Sequence, residues 1–288
     1  MPALVTPFGT DGSVNESAIR ELVAHHISKK VDGFYLCGTT GQGLYLSSTE
    51  RKLVVETVID QVDEKVPVIV HVGSVGLRKA SDLASHAVAA GAAAISSIIP
   101  PTYTTLDGIA AYFQGLSEAA PQLPLLPYFM GAPTSPVTVM ERLSFIPNLA
   151  GTKYTEPNMY EMTRIIEMGK DPWSVFSGMD EQCVFAAMCG ADGAIGSSAN
   201  IMPEGYRKIR LLVTEDKHRE AYELQKRTNR IITTLISYGY PGALRAALSL
   251  MGFDCGDPRL PELPFDRSKL DQLGTDLEAA GFGELTSM

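Results

Sequence analysis

The chain has 288 residues, 45% of them hydrophobic, enough to bury a large core without disulfide or metal staples. A formal net charge of -9 and a pI near 5.1 count against nucleic-acid and anionic-membrane partners, because phosphate binding relies on clustered Lys and Arg. Cys37, Cys183, Cys189 and Cys255 show neither CxxC pairing nor a nearby His; with no leader-like start and no apolar run of roughly 18 residues, a cytoplasmic protein with reduced thiols is expected.

In chain order, short apolar runs alternate with longer segments of helical period. Strands are expected at Ala3–Val5, Gly33–Cys37, Val68–Val72, Ala94–Ile98, Leu125–Met130, Leu149–Thr152, Val175–Ser177 and Ala194–Ile195. An amphipathic helix, Glu16–Lys29, follows the first, with Ile19, Leu22, Val23, His26 and Ile27 on one face. A second spans Thr49–Val62, and the hydroxyls of Ser47, Ser48 and Thr49 suit its N-cap. The strands lack alternating polarity, so both their faces are buried and the sheet is parallel beneath helices. Eight such units close into an α/β fold of the (β/α)8 or TIM-barrel type, which typically needs about 250 residues. A doubly wound open sheet is the alternative. After Asn200 the pattern becomes consecutive helices, Glu204–Val213, Lys217–Ser237, Pro241–Met251 and one near Ser268–Ala280, with Asp257–Pro264 as a connection. The division expected is a barrel over residues 1–202 and a helical appendix over 203–288, packed as one structural unit.

Barrel chemistry sits at the carboxyl ends of the strands. Those ends carry Gly38–Thr39–Thr40–Gly41, Tyr128, Lys153, Gly178–Met179–Asp180–Glu181 and Gly196–Ser197–Ser198. Lys153 alone among the lysines follows an apolar strand. An ammonium ion inside a barrel loses hydration, which favours the neutral, nucleophilic amine; a lysine snorkelling to solvent or paired with an acid is the other reading. The Gly-Thr-Thr-Gly turn suits a carboxylate but is common in such turns. Tyr128 could be a core aromatic, Asp180 and Glu181 a helix N-terminus, and His71 a satisfied core histidine. No dinucleotide fingerprint, P-loop, nucleophile elbow or metal-ligand spacing is present, so neither metal nor cofactor is expected.

The order and spacing of Gly38–Gly41, Pro124–Tyr128, Gly151–Thr152–Lys153 and Gly190–Ser197 resemble, across nearly the whole chain, the N-acetylneuraminate lyase and dihydrodipicolinate synthase superfamily of pyruvate-dependent aldolases. The resemblance implies a TIM barrel, a homotetramer, Schiff-base chemistry and no cofactor. By position it makes Lys153 the Schiff-base lysine, Tyr128 the catalytic tyrosine, Thr39 its proton relay and Thr40 the pyruvate-carboxylate binder. Within the superfamily, the synthase branch has an arginine five residues after the tyrosine, where this chain has Pro133. The sialate-lyase branch matches better, with Thr155, Gly178, Asp180, Glu181 and Ser197 in register as binders of a polyol tail. That implies reversible cleavage of N-acetylneuraminate to N-acetylmannosamine and pyruvate; the alternative is an aldolase or dehydratase for another 2-keto-3-deoxy sugar acid. A non-catalytic descendant of the fold would lack the lysine or the tyrosine, and both stand. Three departures are visible: Gln42 replaces the usual acid after the turn, Tyr128–Phe129–Met130–Gly131 replaces Tyr-Asn/His-Ile-Pro, and Tyr103 aligns only with a slip to the subunit-bridging tyrosine.

Overall fold

A computed structural model describes residues 1–169 and 172–287. Seven parallel strands pair in sequence order: β1 (Phe34–Leu36), β2 (Val68–His71), β3 (Ala94–Ile98), β4 (Leu125–Phe129), β5 (Gly151–Tyr154), β6 (Ser174–Ser177) and β7 (Gly193–Ala194). The first expected strand is the piece that closes the ring. Tyr35 N donates to Pro2 O at 3.0 Å and Leu4 N to Tyr35 O at 2.9 Å, while Ala3 N donates to Gly196 O at 2.9 Å. The N-terminal segment thus bridges β1 to the residues beyond β7, and the sheet closes as a TIM barrel. Its contacts are single bridges rather than a ladder, so it forms an eighth stave too short to count as a strand.

The helices start where the local chemistry directs. Asn15 caps Glu16–Ser28, accepting from Ala18 N at 3.1 Å. Ser47 caps Ser48–Val62 in a capping box with Glu50, satisfying amides that the helix itself cannot. Ala194–Ile195 moves back by one residue to Gly193–Ala194, and Leu149–Thr152 slides by two, becoming Gly151–Tyr154. Asn148 fixes the chain where it first meets β4, its backbone carbonyl accepting from Leu125 N at 2.8 Å while its side chain accepts from Ser117 Oγ at 2.6 Å and donates to Ala120 O and Leu123 O. Leu149 makes a single bridge to Leu125, and the ladder with β6 begins at Gly151, where a Cβ would stand 1.8 Å from Ser174 O, so only glycine allows the approach. Lys153 therefore lies inside a strand and not after one.

Inside the barrel, Ala3, Tyr35, Ile69, Ala94, Leu126 and Ile195 form one apolar layer. A larger cluster between strands and helices runs from Leu4 to Leu285 and takes in the helices Pro203–Thr214, His218–Ser237, Tyr240–Leu250 and Leu270–Ala279. These C-terminal helices share the barrel's own core. No helix among the described residues is long and apolar enough to cross a membrane.

Candidate active site

Above the interior layer, at the carboxyl ends of the strands, a cavity opens around Lys153. Parallel pairing sets Lys153 beside Tyr128 of β4 and Phe176 of β6. The lysine is 4% exposed, and its Nζ stands 4.2 Å from the ring centroid of Tyr35 and 4.2 Å from that of Tyr128. Among the described residues no carboxylate pairs with it. Two aromatic faces support a cation where hydration is lost, at modest strength, and leave the nitrogen's remaining side open to the cavity. The snorkelling and ion-paired readings both fall.

The rings around it are held in place. Tyr35 donates to Ser96 Oγ at 3.0 Å, and burial lifts its phenol well above the ordinary range. Tyr128 meets Tyr35 and His71 edge to face, with centroids 6.2 and 6.3 Å apart. His71 is the satisfied core histidine expected: Nε2 accepts from Ile98 N at 3.1 Å. Burial, then the charges of Arg51 and Lys153, press it well below the usual imidazole range, so it is neutral. The Tyr128 hydroxyl donates to Met130 Sδ at 3.2 Å. Its expected partner, Thr39, lines the same cavity without a hydrogen bond to it.

Thr39 and Thr40 both reach the cavity from the turn after β1. That turn is tight, with Gln42 N donating to Thr39 O at 2.9 Å and Thr6 Oγ1 to Gly41 O at 2.7 Å. Among the described residues neither threonine's hydroxyl nor its amide donates to a protein acceptor. Free donors gathered on a turn suit an anion. Thr155, Gly178 and Ser197 complete the barrel side. Thr155 Oγ1 is buried without a partner, a donor that a ligand would satisfy. Gly178 is required by space: a Cβ there would lie 1.8 Å from Thr155 Oγ1 and 3.1 Å from Lys153 Cε.

Two expected tail binders are not part of this wall. Asp180 is buried outside the cavity, its carboxylate accepting from Ser198 N at 2.8 Å and Ser198 Oγ at 2.6 Å. It presses on Gly196, where a Cβ would come within 1.5 Å of its oxygen. Burial raises its carboxyl despite those hydrogen bonds. Glu181 is exposed, and its carbonyl accepts from Asn229 Nδ2 at 3.1 Å. The turn after β6 is drawn outward by Ser198 and by Gln225, which donates to Asp180 O at 2.9 Å. Tyr103 rests on Tyr112, with ring centroids 4.9 Å apart, away from the cavity.

The roof comes from a C-terminal helix and the connection after it, and was not anticipated. Tyr240, Arg245 and Glu262 face the cavity. The Tyr240 hydroxyl lies 2.9 Å from Ser197 Oγ, and burial followed by the charge of Asp180 raises its phenol, keeping it a neutral donor. Two signals in the sequence bear on these residues: an aromatic ahead of a helix-starting proline at Tyr240–Pro241, and an acid set between prolines at Pro261–Glu262–Leu263–Pro264. Gln42 also finds its reason. Its amide donates to Arg259 O at 2.8 Å and accepts from Arg259 N at 2.9 Å, a two-way pairing that a carboxylate in its place could not make.

Comparison with known proteins agrees with this fold. Over 98% of the chain and 97% of the other, the structure superposes on N-acetylneuraminate lyase of Proteus mirabilis with a TM-score of 0.93 at 29% identity. A sialic acid aldolase of Ruminococcus gnavus, solved as a catalytic lysine mutant, gives a TM-score of 0.91 at 26% identity, covering 98% and 95% of the two chains. A protein from Pseudomonas aeruginosa assigned to the dihydrodipicolinate synthetases gives 0.88 at 24% identity, covering 96% and 97%, which speaks to the fold alone. The model of the dihydrodipicolinate synthetase family matches residues 1–280. With a barrel, a buried lysine and a match of that extent, the chain belongs to the dihydrodipicolinate synthetase family, within the superfamily of pyruvate aldolases.

Proposed function

We propose that this chain is a carbon–carbon lyase that holds a 2-keto acid as a Schiff base on Lys153 and cleaves N-acetylneuraminate to N-acetylmannosamine and pyruvate. The observation carrying this reading is the Lys153 amine, enclosed by two aromatic rings, free of any acid among the described residues and open to the cavity. The relative from Ruminococcus gnavus was solved as a catalytic lysine mutant, and among the described residues Lys153 is the only lysine lining this cavity. In the reaction the neutral amine adds to the keto carbon and water leaves, giving the imine. The substrate carboxylate rests on the free hydroxyls and amides of Thr39 and Thr40. The C4 hydroxyl then loses its proton as the C3–C4 bond breaks, and the bonding electrons pass into the protonated imine to form a neutral enamine. Tyr128 gives its phenolic proton to the leaving water, which leaves the imine protonated. The phenolate then takes the C4 proton and returns it to the enamine carbon, with Thr39 as the relay once the phenol turns from Met130. Hydrolysis of the imine releases pyruvate and frees the lysine. Thr155, Gly178 and Ser197 meet the rest of the substrate, and the assembly is a homotetramer, which sedimentation tests.

The positions of Asp180 and Glu181 favour a second reading, cleavage of a different 2-keto-3-deoxy sugar acid, since two expected tail contacts do not face the cavity. Both readings share the imine. Borohydride with pyruvate is expected to add one reduced pyruvate unit to Lys153, located by mass mapping, and Lys153→Ala is expected to fold and be inert. Labelling of another lysine, or none, refutes the assignment.

A further inference from the structure

We propose that Glu262, carried over the cavity by the C-terminal connection, accepts hydrogen bonds from the hydroxyl-bearing tail of the substrate. The proposal rests on the imine reading above, which makes this cavity the seat of a sugar acid, and it moves the tail-reading acid from the turn after β6 to the roof.

The first observation is placement. Glu262 lines the same cavity as Lys153, Thr155 and Ser197, and Asp180 and Glu181 do not. The second is that its carboxylate is unclaimed: among the described residues it makes no hydrogen bond or ion pair. It is half-buried beside the Arg245 guanidinium, which is itself occupied by Cys255 O at 2.6 Å and Thr6 O at 3.0 Å. Burial lifts the Glu262 carboxyl while Arg245 draws it back toward the charged form. In its ionised form such a carboxylate only accepts hydrogen bonds, so the partner it suits brings donors, as a polyol does.

The third observation is that the connection is fastened on both sides. Upstream, the Gln42 amide grips both backbone groups of Arg259. The Arg259 guanidinium is bound by Glu50 and by the carbonyls of Gly12 and Tyr45, and lies 4.6 Å from the centroid of Phe8. Downstream, a Cβ on Gly242 would stand 2.9 Å from Phe265 N and 3.0 Å from Leu263 O, so the segment lies directly on the helix that starts at Tyr240. A side chain between two such anchors is pre-positioned, which lowers the ordering cost of binding.

The experiment uses the full chain with Glu262→Ala and Glu262→Gln. Two quantities are measured: pyruvate trapping by borohydride, which involves no tail, and KM and kcat on N-acetylneuraminate and on 2-keto-3-deoxygluconate. Losing hydrogen bonds to a charged acceptor is expected to raise KM of the cleaved sugar acid about tenfold to a hundredfold in Glu262→Ala. Trapping stays at the wild-type level and kcat within a few-fold. Glu262→Gln, which keeps one acceptor oxygen, falls between. An unchanged KM with normal trapping overturns this proposal alone. Equal weakening of trapping and KM also overturns it, because Glu262 would then act on the lysine. Pyruvate trapped but neither sugar acid cleaved removes the tail, and the proposal with it. Failure of wild type to trap pyruvate refutes the imine reading on which this one stands.

Discussion

Removing the Asp180 carboxylate separates a structural role from a substrate contact. In Asp180→Ala, the amide and hydroxyl of Ser198 lose acceptors at 2.8 and 2.6 Å. The Ser198 hydroxyl retains Tyr206, 2.6 Å away, but among the described residues the buried amide has no other partner. Each hydrogen bond to a charged group contributes about 1.5–3 kcal/mol, and relief of a desolvated charge offsets part of the sum, leaving a net loss of about 2–4 kcal/mol. For a chain of this size roughly 1 kcal/mol moves Tm by about 2–4 °C, so the expected fall is roughly 4–16 °C by scanning fluorimetry. KM on a cleaved sugar acid stays within about threefold at a temperature where the variant is folded. Unchanged Tm together with a KM raised tenfold would refute this reasoning and restore Asp180 as a substrate ligand.

Tyr128→Phe keeps the ring against Lys153 and Tyr35 but removes the phenol; cleavage is expected to fall about 10²–10⁴-fold while borohydride still traps pyruvate, and near-normal turnover would show Tyr128 to be packing alone. Gly178→Ala drives a methyl group against Thr155 Oγ1 and the Lys153 stem; overpacking of about 1–3 kcal/mol lowers Tm, and in the folded fraction a misplacement on the order of 1 Å costs about a hundredfold, read as slower trapping. His26 is buried with both ring nitrogens unpartnered, and burial, aided by the neighbouring His25, lowers it to about 3. Because the unfolded chain takes up this proton near the ordinary imidazole value and the folded chain does not, stability is full above about pH 6.5 and declines as pH falls toward 3, at up to about 1.4 kcal/mol per pH unit for this group. In His26→Leu, urea unfolding between pH 7 and 4.5 is expected to show that slope reduced by one proton; an identical slope in variant and wild type contradicts the assignment.

Some of this protein was legible residue by residue. The buried faces of strands and helices follow from local periodicity, and Asn15 and Ser47 cap the helices they precede, because a cap needs only the next three residues. The order of the strands and the gathering of Thr39, Thr40, Tyr128, Lys153, Thr155, Gly178 and Ser197 at one mouth follow from parallel βα topology, which sends every strand's carboxyl end the same way. Tertiary structure decided where side chains point once the chain leaves a strand. Asp180 turns away because Ser198 and Gln225 supply its partners. Glu262 reaches the roof on a connection that Gln42 fastens by pairing with a backbone 217 residues away, beside Tyr240 and Arg245 on a C-terminal helix. Periodicity records which face of an element is buried, whereas the direction of a polar side chain at a turn depends on which distant segment offers its hydrogen-bond partner, and that is known only once the chain has closed.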